Sequence, residues 1–182
     1  MGIVPTVGDV FLIPLDDESA VGGQVIAIRE GVELYLAIMD QRLPLNEIDP
    51  KVATAGKPVL LTLSFDAKLF NGDWKIIGNF KECIDEYPHP AFKVIHAGIM
   101  SVESRDKTFR RPAKIYEIEY LQNRSVASAQ IIEDAIRAHF GLAEWKPIYD
   151  KRRAEYARLS SIFCSDLSDS VATKDIGCST LN

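Results

Sequence analysis

Gly8-Asp9-Val10-Phe11-Leu12-Ile13-Pro14-Leu15 is the stretch that decides the fold. A short apolar run opened by Gly-Asp and carrying a proline near its end reads as a β-strand, with Pro14 marking an edge or an end. The polar turn Asp16-Asp17-Glu18-Ser19 follows. Gly23 to Arg29 then gives a second strand, with Val25, Ala27 and Arg29 alternating against Gln24, Ile26 and Ile28. Glu30-Gly31 punctuates, and Leu34 to Met39 gives a third strand. Three strands joined by short Gly/Asp turns predict an antiparallel meander.

Working outward, Asp40 to Lys57 holds Pro44, Pro50 and Gly56 and reads as a connection with one short helical turn. Val59 to Phe65 is a fourth strand. Asn71-Gly72-Asp73 is a turn leading into a fifth, Trp74 to Asn79, because Asn and Gly tolerate positive φ. Phe92 to Ile95 reads as extended. Ile115 to Tyr120 alternates, with Glu117 and Glu119 on one side and Tyr116, Ile118 and Tyr120 on the other, which predicts a half-buried strand.

The periodicity then changes. Ala129, Ile132, Ile136 and Phe140 recur at spacings of three and four, which predicts a helix within Ser125–Phe140, capped by Ser125 and ended by Gly141. A second helix is predicted from Pro147 to about Leu159. The expected class is α+β: a strongly bent, barrel-like antiparallel sheet of six or seven strands with one or two C-terminal helices. Residues 1–163 are expected to form one globular domain. Residues 164–182, rich in Ser, Asp and Thr, are expected to form a disordered tail.

The chain has 182 residues, 47% of them apolar and 26% charged, which suits a folded core and excludes a coiled coil or a disulfide scaffold. Its net charge of −5 is unevenly placed. Residues 1–50 carry nine acids and two bases, a balance of −7, whereas residues 101–160 stand at +3. The overall acidity argues against nucleic acid as a partner. No apolar run approaches the roughly 20 residues of a membrane span. The N-terminal residues carry no basic stretch followed by an apolar one, so a cytoplasmic protein is expected.

Groupings that would carry chemistry are sparse. His89, His96 and His139 form no HxH or HExxH pattern, and a metal cage built on His89 and His96 would need carboxylates from elsewhere. No GxSxG elbow is present. Cys83 lies six residues before His89, but a cysteine beside apolar Ile84 is more often core than nucleophile. Val21-Gly22-Gly23 lacks a phosphate-loop pattern and serves a turn or bulge. The basic stretch of Arg105, Lys107, Arg110, Arg111 and Lys114 around Phe109 is expected to be a solvated loop.

What remains is surface. Asp16, Asp17 and Glu18 share a turn, Glu30 and Glu33 flank the next, and Asp40 ends the third strand. The acids are therefore expected to line the meander rather than meet at a point. Such a field attracts a basic partner and speeds encounter. Trp74 is a candidate anchor for a partner, although a tryptophan after a turn is more often core.

The stretch Gly8 to Leu15, with Gly23-Gln24-Val25-Ile26 and Leu34 to Asp40, resembles the opening of the immunity protein 26 family, in which a "GD-apolar-apolar-x-IPL" strand precedes a "G-x-V" strand and an apolar strand ending near an Asp. Asp73-Trp74-Lys75-Ile76-Ile77-Gly78-Asn79-Phe80, with Pro88 and Phe92 downstream, is similar to that family's "W-x-I-I-G" segment. The resemblance spans roughly residues 6–95. It implies a cytoplasmic bacterial antidote that binds a cognate toxin without a cofactor, the acids named above and Trp74 being the candidate contacts. The family also has members labelled small phosphotriesterase. That label implies the alternative, a hydrolase of phosphotriesters holding a divalent metal through His89 and His96.

Overall fold

The computed structural model describes residues 2–30, 32–45, 48–65, 67–82 and 84–164. These fall into two compact units, one of residues 1–88 and 125–157, the other of residues 89–124 and 158–182. Of the expected disordered tail 164–182, Cys164 instead ends a 3-10 turn, Ser161–Cys164, and residues 165–182 lie outside the described residues, as does Cys83.

The first unit is built on an antiparallel five-stranded sheet. Its strands are β1 (Asp9–Pro14), β2 (Ser19–Arg29), β3 (Glu33–Pro44), β4 (Pro58–Phe65) and β5 (Lys75–Asn79), in the order β4-β3-β2-β1-β5. β1 to β3 are the predicted meander. Ser19 pairs with Pro44, and Arg29 with Glu33. The strands are longer than their apolar stretches suggest, because polar ends such as Gln41-Arg42 continue the ladder.

Alternation along β1 sends its side chains to two cores. Phe11 and Ile13 face one that includes Val25, Leu36, Leu60 and Trp74. Val10 and Leu12 face a smaller one with Ala20, Leu43 and Ala53. The larger core is covered by α4 (Ala129–His139), whose Ile132, Ala135 and Ile136 are fully buried. The smaller is covered by the short helix α1 (Pro50–Ala53), which forms the expected helical turn of the 40–57 connection.

Gly22-Gly23 sits inside β2 at a register shift, which is a bulge. Both positions need glycine. A Cβ on Gly22 would fall 2.0 Å from the Ala53 carbonyl oxygen, and one on Gly23 would fall 2.5 Å from the Phe11 ring. The pair therefore lets α1 press on one face of β2 and Phe11 on the other.

α2 (Ala67–Asn71) precedes Gly72, whose φ of +81° makes the predicted turn. α4 is capped by Ser128, whose hydroxyl accepts the Ile131 N–H, rather than by Ser125. The three residues before Ser128 are not helical, and the Ala127 N–H donates to the Leu63 carbonyl at 2.8 Å. Gly141, at φ +73°, ends the helix as expected. The predicted Pro147–Leu159 helix is divided. Pro147–Arg152 is a 3-10 turn, and α5 (Ala154–Ser160) starts after Arg153, which is extended because it bridges to Leu60 on the edge of β4.

The second unit holds β6 (Ala91–His96), β7 (Ile99–Ser104) and β8 (Arg110–Pro112) as an antiparallel three-stranded sheet. Ala91, Val102 and Leu121 form its small buried core, with Phe163 packed against them. α3 (Ile115–Tyr120) stands where a strand was predicted. Burial there does not follow the alternation, since Glu117 is buried and Glu119 exposed. Glu117 is 0% exposed, while Ile115, Tyr116 and Tyr120 are exposed. Both oxygens of Glu117 accept from Arg111, at 2.7 and 2.5 Å, and the Lys114 N–H donates to it at 2.7 Å. An acid in the first turn that accepts a backbone N–H starts a helix.

The α+β class is therefore as expected. The eight strands divide between sheets of five and three, and neither closes into a barrel.

Candidate functional site

The turn between β1 and β2 is organised by Asp16. One of its oxygens accepts the Ser19 hydroxyl at 2.6 Å and the Glu18 N–H at 3.1 Å, and the other pairs with Arg42. The Ser19 hydrogen bond, then the Glu18 N–H, holds this carboxyl below its usual range. Asp17 and Glu18 are exposed. The Glu18 carbonyl accepts the Leu45 N–H at 3.1 Å, which ties the acidic turn to the segment after β3.

Beside that segment lies a cleft of about 370 Å³. Leu12 and Pro14 of β1, Ile76 and Ile77 of β5, and Leu45 and Ile48 form its apolar lining. Asp73 and Lys75, both exposed, complete it. β5 is short and outermost in the sheet, and Leu45 and Ile48, from the segment after β3, border the cleft beside Leu12 and Pro14. None of its apolar residues was a sequence candidate. The usable signal was Ile76-Ile77, adjacent and both half-buried, one packing on each core.

The remaining acids stand apart from the turn. Glu30 pairs with Arg29, and Glu33 starts β3. Ten residues of β2 separate that end from Ser19, which at roughly 3.3 Å per residue is about 33 Å. That is several screening lengths at physiological salt, so the two ends act as separate fields. Asp40 lies between them on β3, where its Oδ1 accepts the Lys57 N–H at 3.1 Å. The acids line the meander, as its topology demands.

Trp74 is a correction to the candidate list. It is 1% exposed and stacks on Phe11 with ring centroids 5.3 Å apart and planes 2° apart. Its Nε1–H donates to Glu133 of α4 at 2.9 Å. A side chain held on both its apolar face and its polar edge is part of the core, not of a surface.

His89 lies two residues before β6 and His96 is its last residue, and the strand between them, rising roughly 3.3 Å per residue, holds them beyond a shared metal's reach. Each also faces an arginine. The Arg105 Nε–H donates to His89 Nδ1 at 3.2 Å, and an Arg110 nitrogen lies 3.0 Å from His96 Nδ1. Among the described residues no three His, Cys, Asp or Glu side chains group closely enough to hold a metal ion. His139 ends α4 with its ring against Phe140.

The basic stretch is not a solvated loop either. Arg110 pairs with Glu103, which is 3% exposed, and Arg124 lies 3.5 Å from that same carboxylate. Arg111 holds Glu117. These cations neutralise buried acids, because a buried carboxylate is stable only when paired.

The residues that build the meander, the acidic turn and the cleft all lie within one family match. The chain belongs to the immunity protein 26 family, whose model matches residues 6–100. No curated protein and no solved structure matches the chain. No helix of the described residues is long and apolar enough to cross a membrane.

Proposed function

We propose that this protein is a bacterial immunity protein that binds a cognate toxin and holds it inactive in the cytoplasm of the cell that makes it. Membership of the immunity protein 26 family carries this reading. The surface carboxylates support it: Asp16, Asp17 and Glu18 at one end of the meander, Asp40 along it, and Glu30 with half-buried Glu33 at the other end. They form a surface suited to drawing in a basic partner, and electrostatic attraction of that kind acts mainly on the association rate. No observation favours the phosphotriesterase alternative.

The test is rescue. Toxin genes neighbouring this one are expressed singly in a sensitive host, with and without this protein. One of them is expected to kill alone and to be silenced by co-expression. If every neighbouring toxin still kills, the proposal is wrong. With the partner in hand, raising salt from about 50 to about 500 mM should lower the association rate about tenfold, because exposed charges are screened. Neutralising Asp17 and Glu18 together should flatten that dependence.

A further inference from the structure

Resting on the immunity reading, we infer that the cleft between β1, β5 and the segment after β3 receives an apolar side chain from a toxin segment flanked by lysine or arginine. The cleft is large enough, at about 370 Å³, for one or two large side chains. Its walls come from three separate stretches of chain, two of them strands fixed in the same ladder. The walls from β1 and β5 are thus fixed in place, which spares a ligand the cost of ordering them. Leu45 is 39% exposed at its mouth, a large apolar group open to solvent on an otherwise charged end of the molecule.

The charges around the mouth select the flanks of the incoming segment. Asp73 lines the cleft, and Asp17 and Glu18 project from the turn whose carbonyl holds Leu45. Arg42 pairs with Asp16, and among the described lining residues Lys75 is the cation beside those three acids. A neutral apolar segment would leave the three carboxylates without partners, and an acidic one would be repelled. A segment with lysine or arginine beside its anchor meets both the pocket and the acids. An apolar anchor inside a charged rim is the usual anatomy of a tight interface. The acids at Glu30 and Glu33, about 33 Å away along β2, lie beyond the reach of a short segment seated in the cleft.

The test uses the full chain and the toxin identified by rescue. Leu45→Lys puts a cation at the mouth of the cleft at an exposed position, and Asp73→Lys reverses the charge at its edge. Leu45→Lys should weaken binding about 30-fold, mostly through faster dissociation, as loss of an anchor does. Asp73→Lys should weaken it about fivefold, mostly through slower association at low salt. Circular dichroism and thermal unfolding establish that both variants are folded. A photo-crosslinking amino acid at position 45 should attach to a toxin peptide holding Leu, Ile, Met or Phe with Lys or Arg within two or three residues. If both folded variants bind the toxin as the wild type does, or the crosslink falls on an acidic or wholly polar segment, the cleft is not the docking site, although the immunity reading stands. If no neighbouring toxin binds the wild type, both fall together.

Discussion

The two compact units handle charge in opposite ways. In the unit built on β1 to β5, Asp16, Asp17, Glu18, Glu30 and Asp40 stand exposed on turns and strands, buried Asp9 is held by Thr6 and Asn79, and the interior is held by apolar burial around Phe11, Leu36 and Trp74. In the unit built on β6 to β8, the described buried apolar side chains include Ala91, Phe92, Val102 and Leu121, and the interior also holds Glu103 and Glu117 paired with arginines. Local excess charge in a sequence therefore does not measure available charge. In the first third Asp17, Glu18, Asp40 and Asp49 are exposed, whereas Arg110, Arg111 and Arg124 are engaged by the buried acids of their own unit.

The strongest way to break this comparison is in the apolar core. Trp74→Ala removes the stack on Phe11 and takes from Glu133 the indole N–H that complements its pairing with Lys68. The expected loss is about 4 kcal/mol, the range for a large aromatic truncated in a packed interior. Urea unfolding measures it, and about 1 M salt should change the loss little. A loss below about 1 kcal/mol would mean that Trp74 contributes far less to the core than its burial implies.

Glu117→Ala tests the other unit. It strips Arg111 of a two-point partner and removes the acceptor of the Lys114 N–H at the start of α3. The expected loss is about 3 kcal/mol, because Arg111 loses its charged partner and the start of α3 loses its acceptor. Hydrogen exchange should show the loss at Val102 and Leu121, while Leu34 and Leu36 stay protected. Equal loss in both places would show that the two units unfold together.

Acid should weaken the second unit before the first. Burial pushes the Asp106 carboxyl up, but hydrogen bonds from Ser104 and Thr108 outweigh it, and the group is lowered from 3.8 to about 2. Glu117 is likewise lowered: burial raises it, and its bonds from Arg111 and the Lys114 N–H overcome that. Both groups titrate lower when folded than when unfolded. Their contribution is whole at neutral pH and is lost as the pH falls through the unfolded values toward the folded ones. Water screens the half-buried Asp106, so it alone should account for about 1 kcal/mol lost between roughly pH 4 and pH 2, less than the full shift would give. Asp106→Asn should remove most of that pH dependence, as read from unfolding at about pH 2.5 and about pH 6.

These contrasts explain what the sequence could disclose. The meander was legible because its strands are apolar, alternate, and are separated by short polar turns, so local pattern and final burial agree. α4 was legible for the same reason at helical spacing. α3 was not, because Glu117 is buried for Arg111, and nothing local to Ile115–Tyr120 announces that a glutamate faces inward. The acidic turn was visible as residues, but the cleft beside it depends on β5 pairing with β1 across more than sixty residues of chain. Local pattern carries no information about which strand lies outermost. The hairpin of β6 and β7 was half seen for a third reason, which a single substitution can test.

That hairpin turns on Ala97-Gly98, and both residues have positive φ, +50° and +78°. A two-residue turn of this kind matches the right-handed twist of its strands. Glycine accepts that backbone freely, but alanine accepts it at a cost, so the sequence shows only half of the usual signal. Asparagine in place of Ala97 would complete it, since asparagine tolerates this conformation best among residues with a side chain. Ala97→Asn should therefore stabilise the second unit by about 0.5–1 kcal/mol, seen as slower hydrogen exchange at His96 and Ile99, the pair that closes the turn, with no change in the first unit. Because neither alanine nor asparagine titrates, the gain should persist at about pH 3 while the Asp106 contribution fades. A gain that vanished with acid would instead couple the turn to the buried carboxylates.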